Sequence, residues 1–86
     1  MGKYRIEIKK SAVKEISKLP KTDLKKVLRK IELLSENPRP HGAIKLSAEE
    51  KYRLRVGKYR ILYQIFDNKL VIVVVKVRHR KDVYKK

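Results

Sequence analysis

The chain has 86 residues, 25 of them Lys or Arg against 9 Asp or Glu, giving a formal charge of +16 and a pI near 10.3. That length supports one modest core and excludes a second domain, and so large a positive excess points to a polyanionic partner, nucleic acid or an acidic protein. The absence of cysteine excludes disulfides, thiolate catalysis and cysteine-ligated zinc. Two histidines, His41 and His79, are too few for an ordinary catalytic zinc site, so neither a metal nor a cofactor is expected.

No apolar run reaches the length of a membrane span, and the opening Met1-Gly2-Lys3-Tyr4-Arg5 lacks a signal-peptide core, which predicts a cytoplasmic protein with no membrane partner. Tyr4, Ile6 and Ile8 alternate with Lys3, Arg5, Glu7 and Lys9, a period of two that predicts a strand over residues 3–9. Ser11 is a good N-cap residue, and Ala12, Val13, Ile16 and Leu19 follow at helical spacing until Pro20, so a short helix is expected over residues 11–19. A second helix, capped by Thr22 or Asp23, aligns Leu24, Val27, Leu28, Ile31 and Leu34 on one stripe and runs to Glu36. Its other side carries Lys25, Lys26, Arg29 and Lys30, either a solvated face or a contact for a nucleic-acid backbone. The segment Asn37-Pro38-Arg39-Pro40-His41-Gly42 ends it, because the residue before a proline is pushed out of helical conformation. Ile44-Lys45-Leu46-Ser47 reads as a short extended or looped link, and Ala48-Glu49-Glu50 as an acidic turn.

The segment from Tyr52 to Gln64 consists of two alternating stretches joined by Gly57-Lys58, the pattern of a β-hairpin with a type II′ turn. In that register Leu54 faces Ile61, Tyr52 faces Tyr63 and Arg55 faces Arg60. Two arginines directly opposed destabilise a sheet, so an anion is expected between them. With Arg53 they place three guanidiniums on one face, suited to bidentate recognition of phosphate or carboxylate; a solvated basic strand face is the bland alternative. A turn at Asp67-Asn68 leads into the β-branched run from Leu70 to Val77, which belongs inside a covered sheet. A two-residue loop there pairs Tyr63 with Ile72, Ile61 with Val74 and Arg60 with Val75. The expected fold is a single small α+β domain, order β-α-α-β-β-β, with a mainly antiparallel sheet and two N-terminal helices packed on one face. The opposite face keeps the arginines and a floor of Leu62, Val71, Val73 and Val75. Residues 51–86 hold 12 Lys or Arg against Asp67 and Asp82 alone, so the positive field lies on the hairpin and the tail.

Arginines on a groove, one nearby histidine and one tyrosine fit metal-free phosphodiester cleavage better than other reactions. RNA supplies its own 2′-hydroxyl nucleophile, so the protein need only align it, stabilise charge on the phosphorane and move protons. Arg55, Arg60 and Arg80 are candidates to hold the phosphate. His79, of a residue type that titrates near neutrality, and Tyr84 are candidates for the proton steps. The competing readings are a tail histidine without a role and a terminal aromatic that packs on the sheet.

The hairpin sequence Tyr52-Arg53-Leu54-Arg55-Val56-Gly57-Lys58-Tyr59-Arg60, followed by Arg78-His79-Arg80-Lys81-Asp82-Val83-Tyr84, resembles the RelE branch of the RelE/ParE toxin superfamily, and the order of elements extends the resemblance to the whole chain. The resemblance implies a toxin of a toxin–antitoxin pair: an mRNA interferase that enters the ribosomal A site and cuts the codon there without a metal. It implies catalytic positions at Arg53, Arg55, Arg60, His79, Arg80 and Tyr84. Lys51, Lys58, Arg78 and Lys81 would contact RNA or the ribosome. The implied partners are the ribosome, mRNA and an acidic RelB-like antitoxin. Some members carry lysine at the positions of Arg53 and Arg55; arginine stays charged at any working pH and is a poor base, so the proton steps fall to His79 and Tyr84 or cleavage is more electrostatic. The ParE branch, which poisons DNA gyrase through protein contacts, and a non-catalytic basic RNA-binding relative are the alternatives.

Overall fold

The computed structural model describes residues 3–46 and 51–79. Along the chain run β1 (Arg5–Ile8), α1 (Lys10–Ser17), α2 (Lys21–Leu34), β2 (Ile44–Leu46), β3 (Lys51–Val56), β4 (Tyr59–Phe66) and β5 (Val71–His79). The sheet order is β1-β5-β4-β3-β2, with β1 parallel to β5 and the other pairs antiparallel. The expected α+β order holds, and the extended link at residues 44–46 becomes a short fifth strand at the edge of the sheet.

Both helices begin earlier than their side-chain caps suggest. Lys9, not Ser11, is the N-cap of α1, with an extended backbone (φ −63°, ψ 150°) and no side-chain cap. Its N–H still donates to the Val74 carbonyl of β5, so the residue that extends the β1 ladder by one hydrogen bond is also the N-cap of the helix. Pro20 serves as N-cap of α2 at φ −56° rather than as a stop for α1, while Asp23 lies in the first turn where a carboxylate suits the helix dipole. Helix α2 ends at Leu34, two residues before the expected Glu36, and the Glu36 and Asn37 N–H groups both turn back to the Leu33 carbonyl.

Ala12 and Ile16 of α1 and Val27, Ile31 and Leu34 of α2 are buried against Tyr52, Leu54, Ile61, Tyr63, Ile72 and Val74. The helices therefore cover the face of the hairpin that alternation assigned to the core. The β3–β4 register is as expected, with Tyr52–Tyr63, Leu54–Ile61 and Arg55–Arg60 paired. Gly57 has φ +58° and Lys58 is not in positive φ, which suits a type II′ turn.

The β4–β5 connection differs from expectation. It spans four residues, 67–70, with Leu70 at φ +54°, and Tyr63 pairs with Val74 instead of Ile72. Asp67 is fixed at the start of this turn by a hydrogen bond from Tyr4 (2.6 Å) and by Arg39, whose Nη2 lies 2.8 Å from it; Leu70 gives its carbonyl to the Arg5 N–H. Leu70 is thereby held out of β5. A slip of two residues leaves every side chain on its expected face.

A β-bulge then changes the register again, from Tyr63–Val74 to Leu62–Lys76, so that Val75 has no partner across the ladder. Without it Lys76 would face Ile61 in the core and Val77 would face Arg60. With the extra residue, Val77 is buried opposite Ile61 and Lys76 is exposed. The apolar-polar pattern of the strand, broken at Lys76, is restored by the bulge.

Candidate nucleic-acid interface

Because directly paired residues share a face, the ladders assemble one row across three adjacent strands: Arg55 of β3, Arg60 of β4 and Arg78 of β5. At a strand spacing of about 4.8 Å the row is about 10 Å wide at the backbone. The neighbouring row is Arg53, Leu62 and Lys76, and the next contains Lys51, Gln64 and Val73. Among the strand residues described on this face, Glu7 is the one acidic side chain. Arg55 is exposed and Arg53 half-buried, whereas Arg60 is only 3% exposed although it sits on the face away from the helices. The expected opposition of Arg60 and Val75 is thus replaced by Arg60 and Arg78, a consequence of the longer turn and the bulge together.

Arg78 is anchored from the side. Beyond Val74 the strand β5 has no β1 partner, and the Glu15 carboxylate of α1 occupies that edge, accepting from the Val77 N–H (2.9 Å) and from Nε of Arg78 (3.1 Å). The sequence signal for Arg78 was Lys76: a cation inside an apolar run requires either burial or a bulge, and the bulge carries Arg78 to Arg60.

His79 pairs with Tyr59 across the β4–β5 ladder, on the helix side of the sheet, and their rings meet edge to face at 5.4 Å. It does not join the arginine row, because alternation places adjacent residues Arg78 and His79 on opposite faces. The Tyr59 hydroxyl donates to Asp23 (2.9 Å), which ties the hairpin to the first turn of α2 and raises the Tyr59 pKa chiefly through that hydrogen bond. Lys58 projects at the exposed hairpin tip, and Lys51 is exposed at the start of β3. Arg80, Lys81 and Tyr84, with the expected acidic turn at 48–50, lie outside the described residues.

A second polar cluster was not legible in the sequence. Arg39, in the loop after α2, donates from Nε to the Tyr52 hydroxyl (2.9 Å) and packs 5.2 Å from that ring's centroid while its other nitrogens hold Asp67. The Asp67 carboxyl is held below its usual range, first by Arg39 and then by Tyr4. Tyr52 stacks on Tyr63, whose hydroxyl donates to the Pro38 carbonyl (2.8 Å); burial, more than its tyrosine neighbour, pushes the Tyr63 pKa up to about 12. These contacts fasten the loop and the β4–β5 turn on the core side, away from the arginine row.

A basic sheet face above two helices on a β-α-α-β-β-β-β chain has clear relatives. The family model described as ParE toxin of type II toxin-antitoxin system, parDE, matches residues 6–84. The mRNA interferase toxin RelE of Escherichia coli K12 is 35% identical, the match covering 94% of this chain and 90% of that protein. A Methanocaldococcus jannaschii protein named as a RelE toxin is 33% identical, over 96% of this chain and 97% of that one. In the crystal structure of the archaeal RelE–RelB complex from Pyrococcus horikoshii OT3, the matching chain superposes with a TM-score of 0.80 at 28% identity, covering 91% of this chain and 96% of that one. With the family model spanning nearly the whole chain and the similar proteins and folds named RelE, the chain belongs to the RelE family of type II toxin–antitoxin toxins, within the superfamily that includes ParE.

Proposed function

We propose that the protein is a ribosome-dependent endoribonuclease that cleaves mRNA in the A site without a metal, and that Arg55, Arg60 and Arg78 form its phosphate-binding row. The observation that carries this reading is the alignment of those three arginines across adjacent strands in a chain of the RelE family. The substrate's 2′-oxygen attacks the adjacent phosphorus and the bond to the 5′-oxygen breaks, leaving a 2′,3′-cyclic phosphate and a 5′-hydroxyl. The proton released by the 2′-hydroxyl is balanced by the one taken up by the 5′-oxygen. Guanidiniums preset around the phosphorane stabilise its extra charge, and removing one such donor typically slows a reaction by about 10²–10³-fold. Arg53 and Lys76 flank the row and Lys51 and Lys58 extend the positive field, as positions for the RNA strand and ribosome. His79 faces away from the row, which favours the segment carrying Arg80, Lys81 and Tyr84 for the remaining contacts and Tyr84 for a proton step.

The proposed site of action is the cytoplasm; among the described residues no helix is long and apolar enough to cross a membrane. The proposed controlling partner is an acidic RelB-type antitoxin, in keeping with the RelB bound to the Pyrococcus horikoshii relative. Translation of a defined message with purified ribosomes and this protein, followed by mapping of new 5′ ends, tests the function. New ends within the A-site codon are expected, persisting under chelation conditions that spare the ribosome. Because the matching family model bears the ParE name, a gyrase-trapping assay runs beside it: trapped DNA without mRNA cleavage overturns the proposal in favour of gyrase poisoning, and neither activity leaves a non-catalytic binder.

A further inference from the structure

Phe66 is the chain's single phenylalanine. It lies on the same face as Arg60, six residues further along β4, about 20 Å away at the rise of a strand. Its core-side neighbour Ile65 is fully packed, but Phe66 is only half-buried. Its ring borders a depression of about 280 Å³ whose floor is Val71 and Val73 and whose rim is Arg5, Glu7 and Lys69. The Glu7 carboxylate is paired with Arg5 at 3.1 Å, so the rim remains net positive. Between this depression and the arginine row the face carries Leu62 and Gln64 on β4, flanked by Lys51 and Arg53 on β3. A basic track that ends at a partly open aromatic ring has the chemistry of a single-stranded nucleic-acid groove, in which cations follow the backbone and a base stacks on the aromatic side chain.

We propose that Phe66 and its depression form a second RNA subsite, which stacks one unpaired nucleobase several nucleotides along the strand from the phosphate held at the arginine row. This rests on the ribonuclease reading of the face. Valine at position 66 would serve a sheet surface as well as phenylalanine does, whereas stacking requires the ring. Arg5 and Lys69 line the same depression and would neutralise the phosphates flanking the bound base. The subsite is indifferent to base identity, since every base offers a π-face.

The test uses the full chain and 2′-O-methyl oligonucleotides, which bind without being cleaved, in two lengths of about four and about eight nucleotides, the range over which such grooves are occupied. The longer oligonucleotide is expected to bind the wild-type chain more tightly than the shorter. Phe66→Leu should remove that advantage, weakening the longer one about tenfold while leaving the shorter one and the salt dependence of binding unchanged, because stacking is lost and no phosphate contact is. Phe66→Trp should retain the advantage, and circular dichroism melts of both variants guard against a folding defect. Equal binding of both lengths by the wild type, or an undiminished advantage in Phe66→Leu, overturns the subsite. So does a Phe66→Leu variant that loses antitoxin affinity but not RNA affinity, which would make the depression a protein contact. Arg55→Ala tests the underlying reading separately: if it weakens neither length, the phosphate row fails whatever Phe66 does.

Discussion

Arg60 stands between two other arginines, Arg55 and Arg78, and is nevertheless the most buried charged residue on the sheet. At 3% exposure its stem and guanidinium are both enclosed, which restricts the side chain before any RNA arrives. Arg60→Lys keeps the charge and much of the stem but loses the planar fork; cleavage should fall about 100-fold or more, with little change in melting temperature. Arg60→Ala should in addition cost about 1–3 kcal/mol of stability through lost packing. A lysine variant cleaving at the wild-type rate would remove Arg60 from the site. Tyr63 shows the opposite use of burial, since it is fully enclosed and its pKa, pushed up to about 12, lies above the ~10 of an unfolded tyrosine. The unfolded chain gives up that proton first, so the stability tied to Tyr63 is intact below pH ~10 and is lost progressively between there and about 12. Tyr63→Phe should be weaker by about 1–2 kcal/mol at neutral pH, because the Pro38 carbonyl loses its donor, and should show a shallower alkaline decline. Urea melts of both proteins from neutral to alkaline pH measure this; parallel declines would assign the effect to other groups.

At the level of the element, the bulge at Val75 is what makes β5 serve both faces. The residues on either side of it already pair with β4 in registers that a regular ladder would join if one residue were missing. Deleting Val75 should therefore be tolerated: Leu62 still faces Lys76, Ile61 still faces Val77, and the Arg60–Arg78 pair survives. Deleting Leu54 from β3, where the ladder is regular, should unfold the protein, because every later side chain of that strand would change face. Thermal melts of the two deletions decide the point, and a Val75 deletion as damaging as that of Leu54 would show that the bend itself is required. Glu15 supports the same strand half from the edge, where its carboxylate takes the place of a missing neighbouring strand for the Val77 N–H.

For the molecule as a whole, the sheet separates two jobs. One side buries the helices and the Tyr52–Tyr63 stack; the other carries the arginine row and a half-buried apolar strip including Leu62 and Val73. A face that is both basic and partly apolar suits an acidic partner with apolar anchors, the character proposed for the antitoxin. Association of the two should be steered by a field that salt screens over about 10 Å at 0.1 M. Surface-plasmon kinetics at increasing ionic strength should show the on-rate falling while the off-rate changes less. An on-rate indifferent to salt would count against electrostatic steering by the +16 chain.

Local periodicity and short-range turns were enough to read two amphipathic helices, the hairpin with Arg55 opposite Arg60, and the core-facing side of β1, β3, β4 and the first half of β5. Period-two alternation survives a two-residue slip, so as far as the bulge the faces were legible even where the β4–β5 register was not. The tertiary structure decided what depends on distant partners. The length of the β4–β5 turn follows from Tyr4 and Arg39 holding Asp67, contacts 63 and 28 residues apart in the chain. The bulge follows from a conflict between Lys76 and the core that only a packed sheet imposes. Those two events moved Arg78 beside Arg60 and left His79 against Tyr59, because a strand's side chains take their faces from its pairing with a neighbour and not from the order of residues alone.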